Sequence, residues 1–361
     1  MKPLYHLSHI DLDGYSCQLI TTLSYENIKC YNANYGAEMN ARLKQIVKDI
    51  EIANEDADIL ITDLNLTTDE AKWLEKSVDE LNTKGLKISI QLLDHHGSGS
   101  DTAKIFDWYH LDTEKCGTLL TYEYALKNFD TSNFPVWLES YVERINAVDL
   151  WHQDQHEQFE FGKVLMRLLY EARELNRYMF ADEDRKYKID ILTQAAKYIG
   201  ESNANIIVDE KIHQLKKNYF KKDENDTLDN LATKEIVRLV GEIKEELVIY
   251  YRGYKGCLTY ALGNTSIIGN GILTAYPEFD FCMDVGMRGT ISFRASNNAD
   301  VSKIAKDLAK GGGHPNASGG RLEKFKDVFE YSKTKMIIED LIVKKELDPQ
   351  RLITPEKQKH S

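Results

Sequence analysis

The sequence predicts an α/β protein. An N-terminal, mostly parallel sheet with helices on both faces is followed by a helical connector and a smaller C-terminal α/β domain. Three observations carry this. Short apolar runs alternate with amphipathic helical stretches through the first 150 residues, the pattern of βαβ units. From Gln158 to Lys244 the text is helical and charged, with no strand signal. Strand-like runs return from Leu247 onward.

Composition sets bounds on function. The 361 residues allow two or three domains, and 42% hydrophobic with 29% charged residues is an ordinary soluble balance. No run of 18 apolar residues marks a membrane span. The opening Met1-Lys2-Pro3-Leu4 lacks a signal-peptide pattern. Five scattered cysteines (Cys17, Cys30, Cys116, Cys257, Cys282) form no CxxC pair, which suits reduced thiols and a cytoplasmic location. Residues 1–150 hold 13 Lys and Arg against 25 acids, a balance of 13 − 25 = −12. Such a surface is a poor match for long nucleic acid, whose binding rests on neutralising many phosphates, but it is compatible with cations.

Taken in order, Leu4–Ser8 reads as a strand leading into His9-Ile10-Asp11-Leu12-Asp13-Gly14. A helix is predicted from Tyr15 to Tyr25. If the strand continues, His9, Asp11 and Asp13 share one face. By spacing alone, a metal set and a polar turn with an Asp N-cap are equally good readings. A strand at Lys29–Asn34 and a helix at Glu38–Ile52 follow, then Ala57–Leu64, an apolar run interrupted by Asp63. Thr67-Thr68-Asp69-Glu70 reads as the capped start of a helix to Thr83, with Gly85 just beyond its end. The next strand, Leu86–Leu93, delivers Asp94-His95-His96, and neighbouring histidines at a strand end can serve different partners. Helical periodicity covers Thr113–Asn128 and Phe134–Val148. Asp149, just after, reads first as an ordinary helix-end residue.

The connector contains two long amphipathic helices, Arg185–Ile199 and Ile206–Lys221, and a loop at Lys221–Asp226. The last domain has strands at Leu247–Tyr251, Cys257–Leu262, Phe281–Val285 and Thr290–Ala295. Its helices are Val301–Ala309 and Lys324–Lys345. Between them, residues 311–320 hold five glycines around His314 and Pro315. A glycine loop exposes backbone N–H groups to a phosphate or base; no Gly-Lys-Ser/Thr follows, so it is not a Walker loop, and His314 and Pro315 in its midst count against a simple flexible linker. The boundaries are 1–155, 156–245 and 246–347, with a polar tail at 348–361.

The acids and imidazoles collect at element ends: His9-x-Asp11-x-Asp13, Asp63, Asp94-His95-His96 and Asp149. In an open α/β sheet, strand ends share one edge and so one crevice. Their number suits two divalent ions with one carboxylate bridging. With Gly311-Gly312-Gly313-His314, these motifs resemble the DHH phosphoesterase family with its DHHA1-type C-terminal domain. The opening Tyr5-His6-Leu7-Ser8-His9-Ile10-Asp11-Leu12-Asp13-Gly14 is most similar to NrnB-type nanoRNases, relatives of RecJ and NrnA. The likeness covers both ends of the chain and leaves the helical middle unmatched.

The resemblance implies two manganese ions, one held by His9, Asp11 and Asp63, the other by Asp13, Asp63, His95 and Asp149. His96 would face the scissile phosphate and Asp94 would orient the histidines. Arg294, Gly312, Gly313 and His314 would bind substrate, with Arg288 and Arg321 as weaker candidates. Many relatives place the first His four residues before the first Asp, a position held here by Leu7; His9 stands two before Asp11. The activity implied is hydrolysis of short RNA or small nucleotides to 5′-mononucleotides by two-metal activation of water, with no membrane or long duplex as partner. A homodimer is left open. The competing readings are a cyclic-nucleotide, cyclic-dinucleotide or pAp hydrolase, a RecJ-like single-strand exonuclease, and an inactive nucleotide-binding protein.

Overall fold

A computed structural model describes all residues except Met1, Asp223, Asn297, Lys324, Asp327 and 348–361. The protein is mixed α/β and separates into two compact units, Met1–Arg173 with Asp182–Tyr219, and Glu174–Ala181 with Phe220–Ser361.

The first unit is built on β1 (Leu4–Ser8), α1 (Leu12–Ser24), β2 (Ile28–Asn32), α2 (Ala37–Ala53), β3 (Ala57–Thr62) and α3 (Thr68–Thr83). It continues through β4 (Ile88–Asp94), α4 (Ser100–Ala103), β5 (Tyr109–Leu111), α5 (Gly117–Asn128) and α6 (Leu138–Asp149). Three helices complete it: α7 (His156–Glu171), α8 (Ala181–Ala196) and α9 (Ala204–Phe220). The five strands form one sheet in the order β2-β1-β3-β4-β5, every pairing parallel.

Strand alternation decides which helices cover which face. Tyr5, Leu7, Ile59 and Ile61 join Leu43, Ile46 and Ile50 of α2 and Leu74, Val78 and Leu81 of α3 in one core. Leu4, Leu60 and Leu93 turn the other way, onto Leu120 of α5. His6 shares that second face. Buried between the Thr21 and Thr62 hydroxyls at 2.8 Å each, it is driven down to about 3 by burial and by the Arg185 charge, so it stays neutral.

The capped start at Thr67–Glu70 forms, with both halves of the capping box present. The first helix begins earlier than its apolar periodicity predicts. Asp11 is its N-cap, accepting from the Gly14 N–H, and Asp13 and Gly14 lie in its first turn. The first-face argument for His9, Asp11 and Asp13 is thereby corrected: the strand stops at Ser8, and a helix start brings these residues together.

The second unit contains α10 (Leu228–Glu242), β6 (Val248–Tyr251), β7 (Tyr254–Tyr260), α11 (Thr265–Ala275), β8 (Phe281–Val285) and β9 (Thr290–Ala295). After these come α12 (Val301–Ala309), β10 (Gly312–His314), β11 (Ala317–Arg321) and α13 (Tyr331–Glu346). Its six-stranded sheet, β10-β11-β9-β8-β7-β6, is antiparallel except for β7 with β8. The segment 156–245 is divided between the units, with α10 in the second. The glycine stretch is a β-hairpin rather than a loop, because β11 pairs along β9. Helix α11 was not legible, since Gly269 and Gly271 lower its helical propensity. The tail lies outside the described residues, as do positions 223, 324 and 327 in the expected loop and last helix.

Candidate metal centre

Four segments of the first unit deliver acids and imidazoles to the C-terminal edge of the parallel sheet and the adjoining helix ends. The β1–α1 turn brings His9, Asp11 and Asp13. Asp63 follows β3 in the left-handed region, at φ 55°, with its N–H donating to the Leu93 carbonyl. A non-glycine residue held there stores about 1–3 kcal/mol of strain, a cost that clusters at functional sites. Strand β4 ends in Asp94 and leads to His95 and His96, and α6 ends on Asp149.

The side chains form groups compact enough to hold cations: His9, Asp11 and Asp63; Asp13, His95 and Asp149; and Asp63, His95 and His96. His9 Nδ1 lies 2.8 Å from Asp11 Oδ2 and 3.8 Å from Asp63 Oδ2. His95 Nε2 lies 3.2 Å from Asp63 Oδ1, 3.7 Å from Asp13 Oδ2 and 3.6 Å from Asp149 Oδ2. Asp63 therefore stands between the first two groups. Its Oδ2 is buried with no hydrogen-bond partner among the described residues. Burying a charged oxygen without a partner is costly, and a divalent cation removes that cost, so the donors fit such an ion.

Electrostatics point the same way. Burial, then the charges of Asp13 and Asp11, hold the Asp63 carboxyl well above the usual range. Burial and the same two neighbours push Asp149 up to about 8. Asp11 goes down to about 2: burial works to raise it, but the hydrogen bond and charge of His9 outweigh that. Burial lowers His95 despite the charge of Asp13, which favours the neutral imidazole a metal needs.

His96 belongs to the third of these groups and also has partners outside them. Its Nδ1 bonds Asp94 Oδ1 at 2.7 Å, leaving Nε2 3.3 Å from the Tyr35 hydroxyl. Burial opposes its protonation, but the hydrogen bond and charge of Asp94 prevail and hold it above the ordinary histidine value. Asp94 is fully buried and also accepts from the Tyr109 hydroxyl at 2.6 Å and the His96 N–H.

Several supporting residues escaped sequence reasoning. The first amides of α5 hold Asp13: Gly117 N–H donates to Oδ2 at 2.7 Å and Thr118 N–H to Oδ1 at 2.8 Å, anion capture at a helix N-terminus. A Cβ at Gly117 would sit 2.8 Å from Asp63 Cβ and 2.9 Å from Asp13 Oδ2, so only glycine fits. Gly14 is equally constrained, since its Cβ would lie 2.4 Å from the His9 carbonyl oxygen. Cys116-Gly117-Thr118 at a helix start was the available signal. Tyr35 and Tyr109 had none, because their roles depend on long-range packing.

In the second unit, β-sheet register aligns His314 with Ala317 and Ala317 with Arg294. Gly312, Gly313 and His314 are exposed. Arg294 is half-buried and donates to Ser266 Oγ and to the Phe293 carbonyl at 2.7 Å. Arg288 is not brought to them. It precedes β9 at the opposite end, beside Lys310 and Arg321 in a separate cleft.

No protein-family model matches the chain. The 3′,5′-cyclic-nucleotide phosphodiesterase of Helicobacter pylori is 42% identical over 346 residues, 94% of this chain and 99% of that protein. The crystal structure of an uncharacterized protein from Helicobacter pylori G27 superposes with a TM-score of 0.88 at 40% identity, covering 95% of this chain and all of that one. An exopolyphosphatase-related protein from Bacteroides fragilis, at 13% identity over 96% of this chain and 93% of that one, superposes with a TM-score of 0.26.

Proposed function

The chain belongs to the family of the Helicobacter pylori 3′,5′-cyclic-nucleotide phosphodiesterase, and from that premise we propose that it is a manganese-dependent phosphodiesterase of small nucleotides. Cyclic 3′,5′-nucleotides are the first substrate class, and short oligonucleotides are the second, on the motif resemblance to nanoRNases. The observation that carries the reading is the buried, unpartnered Oδ2 of Asp63 between two acid–histidine groups.

His9, Asp11 and Asp63 would hold one cation, and Asp13, Asp63, His95 and Asp149 the other, with Asp63 shared. A bound pair of divalent ions supplies charge neutralisation at the phosphoryl oxygens and an activated water for in-line displacement. The chain's own residues do the rest. The α5 amides fix Asp13. Asp94, anchored by Tyr109, orients His96 and favours its protonated form. His96 Nε2 then donates to a phosphate oxygen or to the leaving alkoxide, as a general acid does. In the second unit we assign substrate contacts to Arg294, a fork suited to phosphate oxygens, and to Gly312, Gly313 and His314.

The test is a panel of 3′,5′-cyclic nucleotides, cyclic dinucleotides, pAp and two- to five-residue RNA, each with Mn²⁺, Mg²⁺ or EDTA. Mn²⁺-dependent hydrolysis of small nucleotides abolished by Asp63→Asn is expected. Preference for long single-stranded DNA, or no turnover with any divalent ion, would sink the reading.

A further inference from the structure

The first unit has a second recess, a cleft of about 400 Å³ whose lining includes Asp11, Met166, Leu169, Tyr170, Arg173 and Lys188. It shares Asp11 with the metal centre and extends toward α7 and α8. Met166 and Tyr170 are four residues apart on α7, so they project from the same side of the helix. Both are exposed, Tyr170 by 70% and Met166 by 46%, while Leu169 is buried beneath them. Two large apolar side chains kept in water beside an acidic centre call for an occupant.

The polar groups narrow its chemistry. The Arg173 guanidinium lies 4.0 Å from the Tyr170 ring centroid, and its Nε donates to the Tyr170 carbonyl at 2.8 Å. The hydrogen bond and the ring contact hold the guanidinium against Tyr170. Lys188 reaches in from α8, its ammonium held by Asp184 Oδ2 at 2.8 Å and the Tyr15 hydroxyl at 3.2 Å. An ammonium has three donors, so one remains after those two bonds. An aromatic ring, a guanidinium held beside it and a fixed donor are what a heteroaromatic ring with acceptors on its edge requires.

We propose that this cleft receives the nucleobase of the substrate, stacked against Tyr170 on the ring face away from Arg173, with Lys188 donating to its edge. The base would then lie beside Asp11 while the phosphodiester occupies the metal centre. The assignment rests on the reading of that centre as a nucleotide phosphodiesterase.

The test compares the native protein with Tyr170→Ala and Tyr170→Phe; the exposure of Tyr170 makes a folding failure improbable as a cause of any change. One arm measures hydrolysis of 3′,5′-cyclic AMP and of methyl 4-nitrophenyl phosphate, a diester without a base. The other measures binding of adenosine, which has no phosphate, to EDTA-treated protein by saturation-transfer NMR. For Tyr170→Ala, KM for the cyclic nucleotide should rise about tenfold, the scale of one base–aromatic stacking contact, with kcat unchanged. Tyr170→Phe should restore most of it, the base-free diester should be unaffected, and adenosine binding should be lost only in the alanine variant. Unchanged KM and adenosine binding would overturn the proposal, as would equal losses on both diesters. If the native protein hydrolyses no diester, the functional reading fails, and adenosine binding alone decides the cleft.

Discussion

Replacing Gly117 with alanine perturbs the candidate metal centre from behind, without replacing an ionisable group. The new methyl carbon would lie 2.8 Å from Asp63 Cβ and 2.9 Å from Asp13 Oδ2, against about 3.5–4.0 Å for relaxed carbon contacts. Relief takes a shift of roughly 0.5–1 Å by Asp63, by Asp13 or by the start of α5. Asp63 is held by its N–H bond to Leu93, and Asp13 by the Gly117 and Thr118 amides. Overpacking of this size costs about 1–3 kcal/mol. A displacement near 1 Å at a reacting centre costs about 100-fold in rate. Urea unfolding should show a lower midpoint with an unchanged slope, and Mn²⁺-dependent kcat should fall about 100-fold. Gly97→Ala is the stability control, because its methyl meets no atom within 4 Å. A Gly117→Ala protein with native midpoint and native kcat would show that Gly117 does not set the positions of Asp63 and Asp13.

Other consequences follow from the charges. In EDTA-treated protein, burial and the neighbouring carboxylates raise Asp63 and Asp149 above their unfolded values, and, against burial, the hydrogen bonds of Asp11 and Asp94 raise His9 and His96. Stability should therefore fall as pH rises from 6.5 to 8, by about 2 kcal/mol for each proton fully retained across that window. Asp149, with a quarter of its side chain exposed, contributes less through solvent screening. Asp149→Asn should flatten the slope in urea titrations, and an unchanged slope would contradict the assignment. His6 works in the opposite sense. Its folded value of about 3 makes stability fall as pH drops from 6.5 toward 3, by up to about 1.4 kcal/mol per pH unit, and His6→Gln should remove that component. Tyr109→Phe deletes the hydroxyl on Asp94 Oδ2; a stability loss of about 1–2 kcal/mol with a lower kcat and unchanged KM is expected, and an unchanged kcat would count against Asp94 as the orienter of His96.

Local chemistry made much of this architecture legible. The βα alternation marked the parallel sheet, Thr67 and Glu70 marked a helix start, and Phe281–Val285, Thr290–Ala295 and Val301–Ala309 have the predicted bounds. Where long-range pairing decides, the text was silent. The hairpin of residues 312–321 exists because β11 pairs along β9, and three-residue β5 is defined by pairing with β4. In the centre, strand-end logic gathered the acids and imidazoles, while the family resemblance supplied the ligand set His9, Asp11, Asp13, Asp63, His95 and Asp149; these lie in compact groups, one of which also takes in His96. The backbone route differs for Asp11 and Asp13, since an Asp N-cap and a strand continuation share the same letters. The α5 amides and the Tyr109 hydroxyl come from elements distant in sequence.

In the proposed centre Asp63 is shared by two divalent cations. The most direct test of this is the number of Mn²⁺ ions bound per chain, measured by equilibrium dialysis with elemental analysis for the native protein and for Asp63→Asn. Two ions on the native chain are expected, with both sites weakened at least 100-fold in the variant while its fold, by circular dichroism, is retained. An Asp63→Asn protein that still binds two Mn²⁺ with native affinity would show that Asp63 is not the shared ligand.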